Sequence, residues 1–283
     1  MITAVQVDQE VDWLTVLLEI VGAYEEIAAA KMQKIRRRVL ANRDFLAELR
    51  KVYTQVQFSY QQEVGRRQIE EGVKKNGKTA LVFLSANTGL YGSIIEKTFA
   101  LFFQEVKTAE ADLFIVGKLG KTLFQARSAG RAFTYYDFPD TAIEYQGVRK
   151  LVDALMGYSR VIIYHGVYRT AVTQDAVGSS VTGGSDLTAE KTSTVGEKWI
   201  YEPSVTEILV FFETEIFASL VVQTIHESML AKLSSRLVTL DEAQERVKDA
   251  LRRSVLTASR LKHRTRNKKQ LGSFSGMSLW RST

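Results

Sequence analysis

The sequence contains no cysteine and only two prolines among its 283 residues. Without cysteine the chain cannot form an iron–sulfur cluster, a cysteine-based zinc site or a thiolate nucleophile. The three histidines, His165, His226 and His263, lack the spacing of a metal-binding helix motif. Ser85 follows a predicted strand, but no histidine or acid is tied to it as a catalytic partner. We therefore expect no metal, no cofactor and no catalytic residue.

Glycine and proline, which interrupt helices, are unevenly distributed. Residues 1–64 contain one glycine, Gly22, and no proline, and residues 204–271 contain neither. Most of the remaining glycines lie between these stretches. Each stretch therefore predicts one unusually long helix.

Both stretches place apolar residues at alternating intervals of three and four, which is typical of a coiled-coil seam. The polar exceptions are Glu25, Asn42, Gln244 and Ser254. The N-terminal seam comprises Val11, Leu14, Leu18, Val21, Glu25, Ala28, Met32, Ile35, Val39, Asn42, Leu46, Leu49, Tyr53 and Val56. The C-terminal seam comprises Leu230, Leu233, Leu237, Leu240, Gln244, Val247, Leu251, Ser254, Ala258 and Leu261.

We predict that the two helices pair antiparallel, and we call this pair the shaft. At 1.5 Å per residue, a helix over residues 205–271 would be roughly 100 Å long. Because that exceeds the diameter of a compact domain, part of the shaft should project as a rod. A rod of this kind indicates a mechanical or assembly role.

The middle of the chain predicts an α/β domain with a largely parallel sheet, because short apolar runs alternate with helical patterns. The predicted strands are 80–84, 113–116 and 161–164, and the predicted helices are 93–107, 118–129 and 142–158. The segment 178–196, rich in Gly, Ser and Thr, is expected to be a mobile loop or a hairpin connection.

These patterns divide the chain into three segments. We predict an N-terminal shaft helix over 1–75, a central Rossmann-like α/β domain over 76–200, and a C-terminal shaft helix with a basic tail over 201–283.

A phosphate-loop pattern, G-x-x-x-x-G-K-[ST], occurs from Gly72 to Thr79 and includes Lys78. In nucleotide-binding proteins such a loop follows a strand and opens a helix, which points N–H groups at the phosphates. Here a helix precedes the pattern and a predicted strand follows it. We favour a basic turn at this place, and a P-loop NTPase remains an alternative function.

Two further glycine-containing turns, 87–93 and 117–121, follow predicted strands and would suit an anion site. The first has no basic residue or partner acid at a diagnostic spacing, and the second has the same shape and is interpreted in the same way. Tight turns with close packing account for their glycines more simply.

The net charge of +6 and the sequence pI of about 9.3 arise from local excesses of positive charge. Residues 243–270 contain ten Lys or Arg against two acids, and residues 31–43 contain basic residues and no acid. So one-sided a charge predicts an acidic partner. Nucleic acid is one candidate, but neither run is interleaved with stacking aromatics. A basic coiled-coil module for nucleic acid therefore remains a second alternative.

A membrane span is not expected from the apolar runs. The run 216–225 has ten residues, against the roughly 20 that a spanning helix needs. The first ten residues also lack the basic start of a signal peptide.

Taken together, the chain resembles the gamma subunit of F-type rotary ATP synthases, with matching motifs in matching order. Residues 27–32 look like V-A-A-[AS]-K-[ML], residues 85–92 like S-D-x-G-L-C-G, residues 116–120 like I-G-x-K-G, residues 201–204 like E-P-S, and residues 236–243 like R-M-x-A-M-x-x-A. The motif residues are Gly89, Leu90, Gly92, Gly117, Arg236, Asp241 and Ala243.

The resemblance implies a mechanical role for a subunit that has no active site of its own. In the family the shaft turns inside a ring of alpha and beta subunits and forces their nucleotide sites through different states. Its globular end sits with the epsilon subunit on the membrane rotor ring of c subunits. Ion flow is thereby coupled to ATP synthesis or hydrolysis, and no nucleic acid takes part.

The resemblance also implies a place and a set of contacts. The chain would be a peripheral subunit at the cytoplasmic face of the bacterial inner membrane. Basic shaft residues would meet acidic loops of the catalytic subunits. The expected contacts are Lys31, Arg36, Arg37, Arg38, Arg260, Lys262 and His263, the last two standing where the family has an Arg-Gln pair.

Two departures from the family pattern indicate a divergent or alternative-operon member. The family's K-I-T-x-A-M is E-I-V-G-A-Y at residues 19–24. The small, apolar family tail is replaced by the basic residues 264–270 and a Gly- and Ser-rich end.

Overall fold

The computed structural model describes residues 4–64, 75–128, 130–140, 145–181, 202 and 204–280. The chain forms five helices and five strands within these ranges. In order they are α1 (Ala4–Val64), β1 (Thr79–Leu84), α2 (Ile94–Thr108), β2 (Asp112–Val116), α3 (Lys118–Arg127), β3 (Thr134–Tyr136), α4 (Tyr145–Met156), β4 (Arg160–Tyr168), β5 (Gln174–Ser180) and α5 (Val205–Trp280).

The chain divides into two compact units, and both long helices contribute residues to each. The sheet unit is Ala29–Arg236, and the end unit combines Met1–Ala28 with Leu237–Thr283. The three segments predicted from the sequence were instead divided by type of secondary structure, into a first helix, an α/β domain and a last helix. Their boundaries, at residues 75/76 and 200/201, fall between α1 and β1 and between β5 and α5.

The two long helices predicted from the scarcity of glycine and proline are present, with 61 residues in α1 and 76 in α5. α5 continues beyond the predicted end at 271, through Gly272 to Trp280. One glycine costs a helix only about 1 kcal/mol, so Gly272 alone does not end it.

In the sheet unit α1 and α5 pair antiparallel. Asn42 Nδ2 donates to Gln223 Oε1 at 2.9 Å, and Tyr53 Oη donates to Glu213 Oε1 at 3.2 Å. Residue numbers therefore rise along α1 while they fall along α5. The polar seam residue Asn42 is satisfied by a polar residue on the facing helix, so its burial is not costly.

In the end unit the same two helices also pair antiparallel. Lys262 Nζ lies 3.1 Å from Asp8 Oδ1, and Gly22 lies against the side chain of Gln244. Val7, Leu14 and Val21 of α1 are buried, as are Leu240, Ser254 and Ala258 of α5.

Every position of the two predicted seams is buried or half-buried, including its four polar members. Apolar residues off the seam, such as Val16 and Leu40, are exposed. The predicted coiled-coil pairing is therefore confirmed within each unit.

The sheet has the strand order β3-β2-β1-β4-β5. The pairs β1–β2, β1–β4 and β2–β3 are parallel, and β5 is antiparallel to β4. The prediction of a largely parallel, Rossmann-like sheet is confirmed.

Two edge strands were not predicted. β3 has three residues, and β5 has only two apolar residues and pairs through its backbone. The prediction of a loop or hairpin connection from residue 178 is wrong at its start, because residues 178–180 belong to β5. Residues 182–196 lie outside the described residues.

Alternate residues of the strands point to opposite faces of the sheet, and each face has its own core. Leu81, Phe83 and Ile115 pack with α2 and α3. Val82, Leu84 and Ile163 pack with α4, α5 and three residues of α1, the buried Ile35 and Val39 and the half-buried Met32. The sheet thus lies between two helical layers, and α5 belongs to one of them.

One described helix is long and apolar enough to cross a membrane by length and composition, the part of α5 from Val205 to Phe274. A helix buried in a protein core passes the same test. In the sheet unit Ile216, Val221 and Ile225 of α5 are buried in the core. In the sequence, the ten-residue length of the run 216–225 was the reason for expecting no membrane span. That run is only a part of the longer helix α5, so the burial of α5 in the core is the better argument.

The seam in the sheet unit can be tested with two leucines of α1. Leu46 lies on the seam and is 5% exposed, whereas Leu40 lies off it and is 51% exposed. Leu46→Ala should lower the free energy of unfolding by about 2–5 kcal/mol because it opens a cavity. Leu40→Ala should change it by about 0.5 kcal/mol or less. Urea unfolding of the full chain measures both, and equal losses would contradict the pairing.

Candidate functional site

The predicted contact residues lie on the helices of both units. In the sheet unit Lys31 is half-buried and Arg36, Arg37 and Arg38 are exposed. No carboxylate of the described chain lies within 4 Å of these three arginines, so their charge faces solvent.

In the end unit Arg260, Lys262 and His263 are exposed. Lys262 is paired with Asp8 at 3.1 Å, and both side chains are about half exposed or more. An exposed pair of this kind contributes little to stability, so Lys262 stays available to another partner. Asp241 is exposed and Ala243 half-buried.

The other predicted motif residues meet at the carboxyl edge of the sheet, within the sheet unit. The turn after β2 approaches the turn after β1 closely. Gly117 has φ +95°, and a Cβ there would lie 2.8 Å from the backbone of Ala86. Only glycine fits both conditions. A Cβ on Gly120 would lie 2.6 Å from Cβ of Ser85, so the close-packing interpretation of this turn is confirmed.

The turn after β1 has its left-handed backbone at Leu90 (φ +66°) and Gly92 (φ +55°). Gly89 has neither a positive φ nor a neighbour that a Cβ would meet. Close packing therefore does not account for Gly89, and that part of the interpretation is wrong. The contact at Gly89 is made by its carbonyl oxygen, which accepts from Arg236, and any other residue would supply the same oxygen.

Two peptide N–H groups of this turn are occupied by an acceptor of the chain itself. The Asp140 carboxylate accepts from Asn87 N, Thr88 N and Thr88 Oγ1, each at 2.8 Å. At the next turn Lys118 N donates to Asn87 Oδ1 at 2.8 Å. These donors are thus already satisfied and are not open to a phosphate.

α5 is attached to the turn after β1 by two adjacent residues, Ser235 and Arg236, which we call the anchor. Ser235 Oγ donates to Tyr91 O at 2.7 Å. Arg236 Nη2 donates to Gly89 O at 2.7 Å and to Thr88 Oγ1 at 3.2 Å. Its guanidinium carbon lies 4.0 Å from the centre of the Tyr91 ring, which adds a cation–π contact.

One turn before the anchor, Lys232 is buried and donates from Nζ to Ser85 O at 2.7 Å. Burial lowers the pKa of Lys232 to about 8, against the opposing attraction of the Asp140 carboxylate. No sequence pattern predicted a role for this residue, because the heptad places it off the seam. The signal that could have revealed it is the uninterrupted series of apolar and small residues around it, 228–235.

The phosphate-loop pattern does not have the geometry of a nucleotide site. Thr79 begins β1 rather than a helix. Lys78 Nζ lies 3.6 Å from Asp112 Oδ2, and Gly77 N donates to Ser159 Oγ at 2.9 Å. Gly72 lies outside the described residues. The geometry gives the P-loop alternative no support.

Comparison with known proteins identifies the family. The family model described as "ATP synthase" matches residues 7–265. The chain belongs to this family. It is 21% identical over 255 residues to the ATP synthase gamma chain of Ruthia magnifica subsp. Calyptogena magnifica, covering 83% of this chain and 84% of that one. It is 23% identical over 262 residues to the gamma chain of Pelotomaculum thermopropionicum, covering 86% of each.

Chains from two solved ATP synthase structures share the fold. A chain of the Tetrahymena thermophila mitochondrial ATP synthase central stalk and c-ring matches with a TM-score of 0.54 at 17% identity, covering 79% of this chain and 99% of that one. A chain of the Euglena gracilis mitochondrial ATP synthase matches with a TM-score of 0.55 at 13% identity, covering 92% and 96%. The resemblance to gamma subunits is thus confirmed.

The anchor can be tested against another arginine of α5. Arg236→Lys should lower the free energy of unfolding by about 1–3 kcal/mol, because lysine cannot bond Gly89 and Thr88 while covering the Tyr91 ring. Arg252, which forms an exposed ion pair with Asp249 at 3.4 Å, is the control, and Arg252→Lys should be nearly neutral. Urea unfolding compares the two, and a neutral Arg236→Lys would contradict the anchor.

The buried amine predicts an unusual dependence of stability on pH. An unfolded lysine titrates near 10.5 and Lys232 near 8, so between these values the unfolded chain binds more protons. The free energy of unfolding should therefore rise from pH 8 to pH 10, by about 2–3 kcal/mol. Above that range tyrosines act oppositely, since burial raises the pKa of Tyr158 to about 12.

Lys232→Met should abolish this rise and should be more stable than the parent at pH 7. Urea midpoints measured at pH 7, 8, 9 and 10 follow the effect. A parent chain whose stability is flat or falling from pH 8 to pH 10 would contradict the burial of a protonatable amine.

Proposed function

We propose that this chain is the central rotor shaft of an F-type ATP synthase, coupling ion flow through a membrane rotor to ATP synthesis or hydrolysis in partner subunits. The observation that supports it most is the antiparallel seam of α1 and α5 in both units, joined to a Rossmann-like sheet. Membership of the ATP synthase family, and relatives that are ATP synthase gamma chains, support the role of a rotor shaft for the paired helices.

A shaft must transmit torque, which requires that its helices cannot rotate within their mountings. In the sheet unit, residues 216–235 of α5 are buried or half-buried without exception. The anchor and Lys232 then bond this part of α5 to the turn after β1. Turning α5 would break all these contacts together, so the sheet and α5 would move as one body.

The proposed subunit is non-catalytic. Asp140 accepts from the N–H groups of Asn87 and Thr88 at the turn after β1, and a strand follows the phosphate-loop pattern. The nucleotide chemistry would belong to the partners, which we propose to be alpha and beta subunits, with epsilon and a ring of c subunits at the sheet unit. The chain would then be peripheral, at the cytoplasmic face of a bacterial inner membrane.

The proposed contacts with the catalytic subunits are exposed basic residues of the helices. Arg36, Arg37 and Arg38 have no carboxylate within 4 Å in the described chain, and Arg260 and His263 are exposed. Exposed cations of this kind steer and orient an acidic partner more than they add affinity.

Reconstitution tests the proposal as a whole. The purified chain should hydrolyse no ATP, and it should form a stable complex with alpha and beta subunits encoded beside it, giving sustained ATPase activity. Lys78→Ala should leave that activity unchanged. ATP hydrolysis by the chain alone, lost in Lys78→Ala, would instead establish the P-loop alternative, and failure to bind alpha and beta subunits would contradict the shaft.

Lys262 allows a partner contact to be separated from an internal one. Asp8→Asn removes the pair with Lys262 and leaves the lysine charged, whereas Lys262→Met removes both. If Lys262 meets an acidic loop of the ring, Lys262→Met should lower ATPase activity of the complex several-fold, since a charge-assisted bond of about 1–3 kcal/mol is lost. Asp8→Asn should lower it little. If the two substitutions lower ATPase activity equally, Lys262 acts only through its pair with Asp8 and does not contact the ring.

A further inference from the structure

We propose that the sheet unit holds a binding site for a small monovalent anion such as chloride, in the cleft between the end of β1 and α5. The binding groups are Lys232 Nζ, Ser85 Oγ and Ser228 Oγ, which line this cleft together. No function of the shaft described above requires such a site.

The first observation is a set of buried polar groups with unmet hydrogen bonds. Ser85 and Ser228 are each 2% exposed, and the hydroxyl of neither has a partner in the described chain. Buried hydroxyl groups are nearly always bonded, because leaving one unpaired costs about 1–3 kcal/mol. Two such hydroxyls facing one cleft indicate that something polar lies between them.

The second observation is the charge of the cleft. The Lys232 ammonium has three N–H donors, and the bond it makes to the described residues is to Ser85 O. No carboxylate in the described ranges lies within 4 Å of Nζ. Asp140 also lines the cleft, but both of its oxygens already accept from Asn87 and Thr88. A buried cation that has no carboxylate within ion-pair distance attracts an anion.

The size and walls of the cleft restrict the anion. Its cavity volume is about 20 Å³, which accommodates a single water or a halide rather than a phosphate. Much of the remaining wall is apolar, with Leu84, Val116, Ile225 and Met229. Apolar walls favour a weakly hydrated monovalent ion over a strongly hydrated one.

The place of the cleft in the fold supports the assignment. The cleft lies at the carboxyl ends of β1 and β2, where Leu84 and Val116 line it. Ligands of open α/β sheets bind outside the carboxyl ends of the strands. Here α5 covers this edge of the sheet, leaving room for a small ion beside Lys232, while Asp140 accepts from the neighbouring N–H groups of Asn87 and Thr88.

Chloride binding can be measured on the full chain. At pH 7 and constant ionic strength, replacing about 150 mM sodium gluconate with sodium chloride should raise Tm by about 2–4 °C. The chain should also broaden the chlorine-35 NMR line, and bromide should reverse the broadening by competition. In chloride, the rise of stability with pH should begin above pH 8, since the anion favours protonated Lys232.

Two variants and one control separate the site from general salt effects. Lys232→Met should abolish both the Tm difference and the line broadening. Ser228→Ala, which removes an unpaired hydroxyl and should fold normally, should weaken chloride binding about 3- to 10-fold, the loss of one neutral hydrogen bond. Lys97→Met, at an exposed lysine of α2, should leave both readouts unchanged.

An ordered water in place of an anion would overturn the proposal. In that case Tm would be equal in chloride and gluconate, and the chlorine-35 line width would be the same for the parent and for Lys232→Met. A chloride effect that persists in both Lys232→Met and Ser228→Ala would also overturn it, because the anion would then bind elsewhere. These outcomes do not depend on assembly with partner subunits, so they are distinct from failure of the shaft proposal.

Discussion

The apolar seam between the two terminal helices is the constraint on which the rest of the structure depends. Helices of 61 and 76 residues would not be stable in water without a partner for their apolar faces. Each supplies that face to the other, antiparallel, in both compact units. Because the seam uses both ends of the chain, the sheet must be formed by the residues between them.

α5 has a second role that the seam does not explain. In the sheet unit it packs on α1 on one side and on the sheet on the other, so polar residues off the seam are buried as well. Lys232, Ser235 and Arg236 are consequences of this double contact: each bonds a backbone oxygen of residues 85–91. The turn that carries the family motif is therefore held by the shaft helix, which joins the mechanical element to the domain proposed to drive it.

Much of this fold follows from local sequence patterns, and the exceptions have physical causes. The seam was predictable because apolar residues at intervals of three and four form one helix face that needs a partner. The strands β1, β2 and β4 were predictable because they are short apolar runs. The edge strands β3 and β5 were not predictable, since an edge strand buries few side chains and pairs through its backbone, so its sequence carries no apolar pattern. The burial of Lys232 was not predictable either, because a heptad describes one partner of a helix and α5 has two. Gly117 was recognised from its turn, whereas the use of Asp140 as the turn's anion depends on a contact 53 residues along the chain.

The central claim, that this chain turns within a ring of catalytic subunits, is tested most directly by watching it turn. Because the sequence has no cysteine, Lys97→Cys on the exposed surface of α2 provides one attachment point for a probe. With the alpha and beta subunits fixed to a surface, the account predicts continuous, one-directional rotation of the probe on addition of ATP. A complex that hydrolyses ATP at full rate while the probe stays still would contradict it.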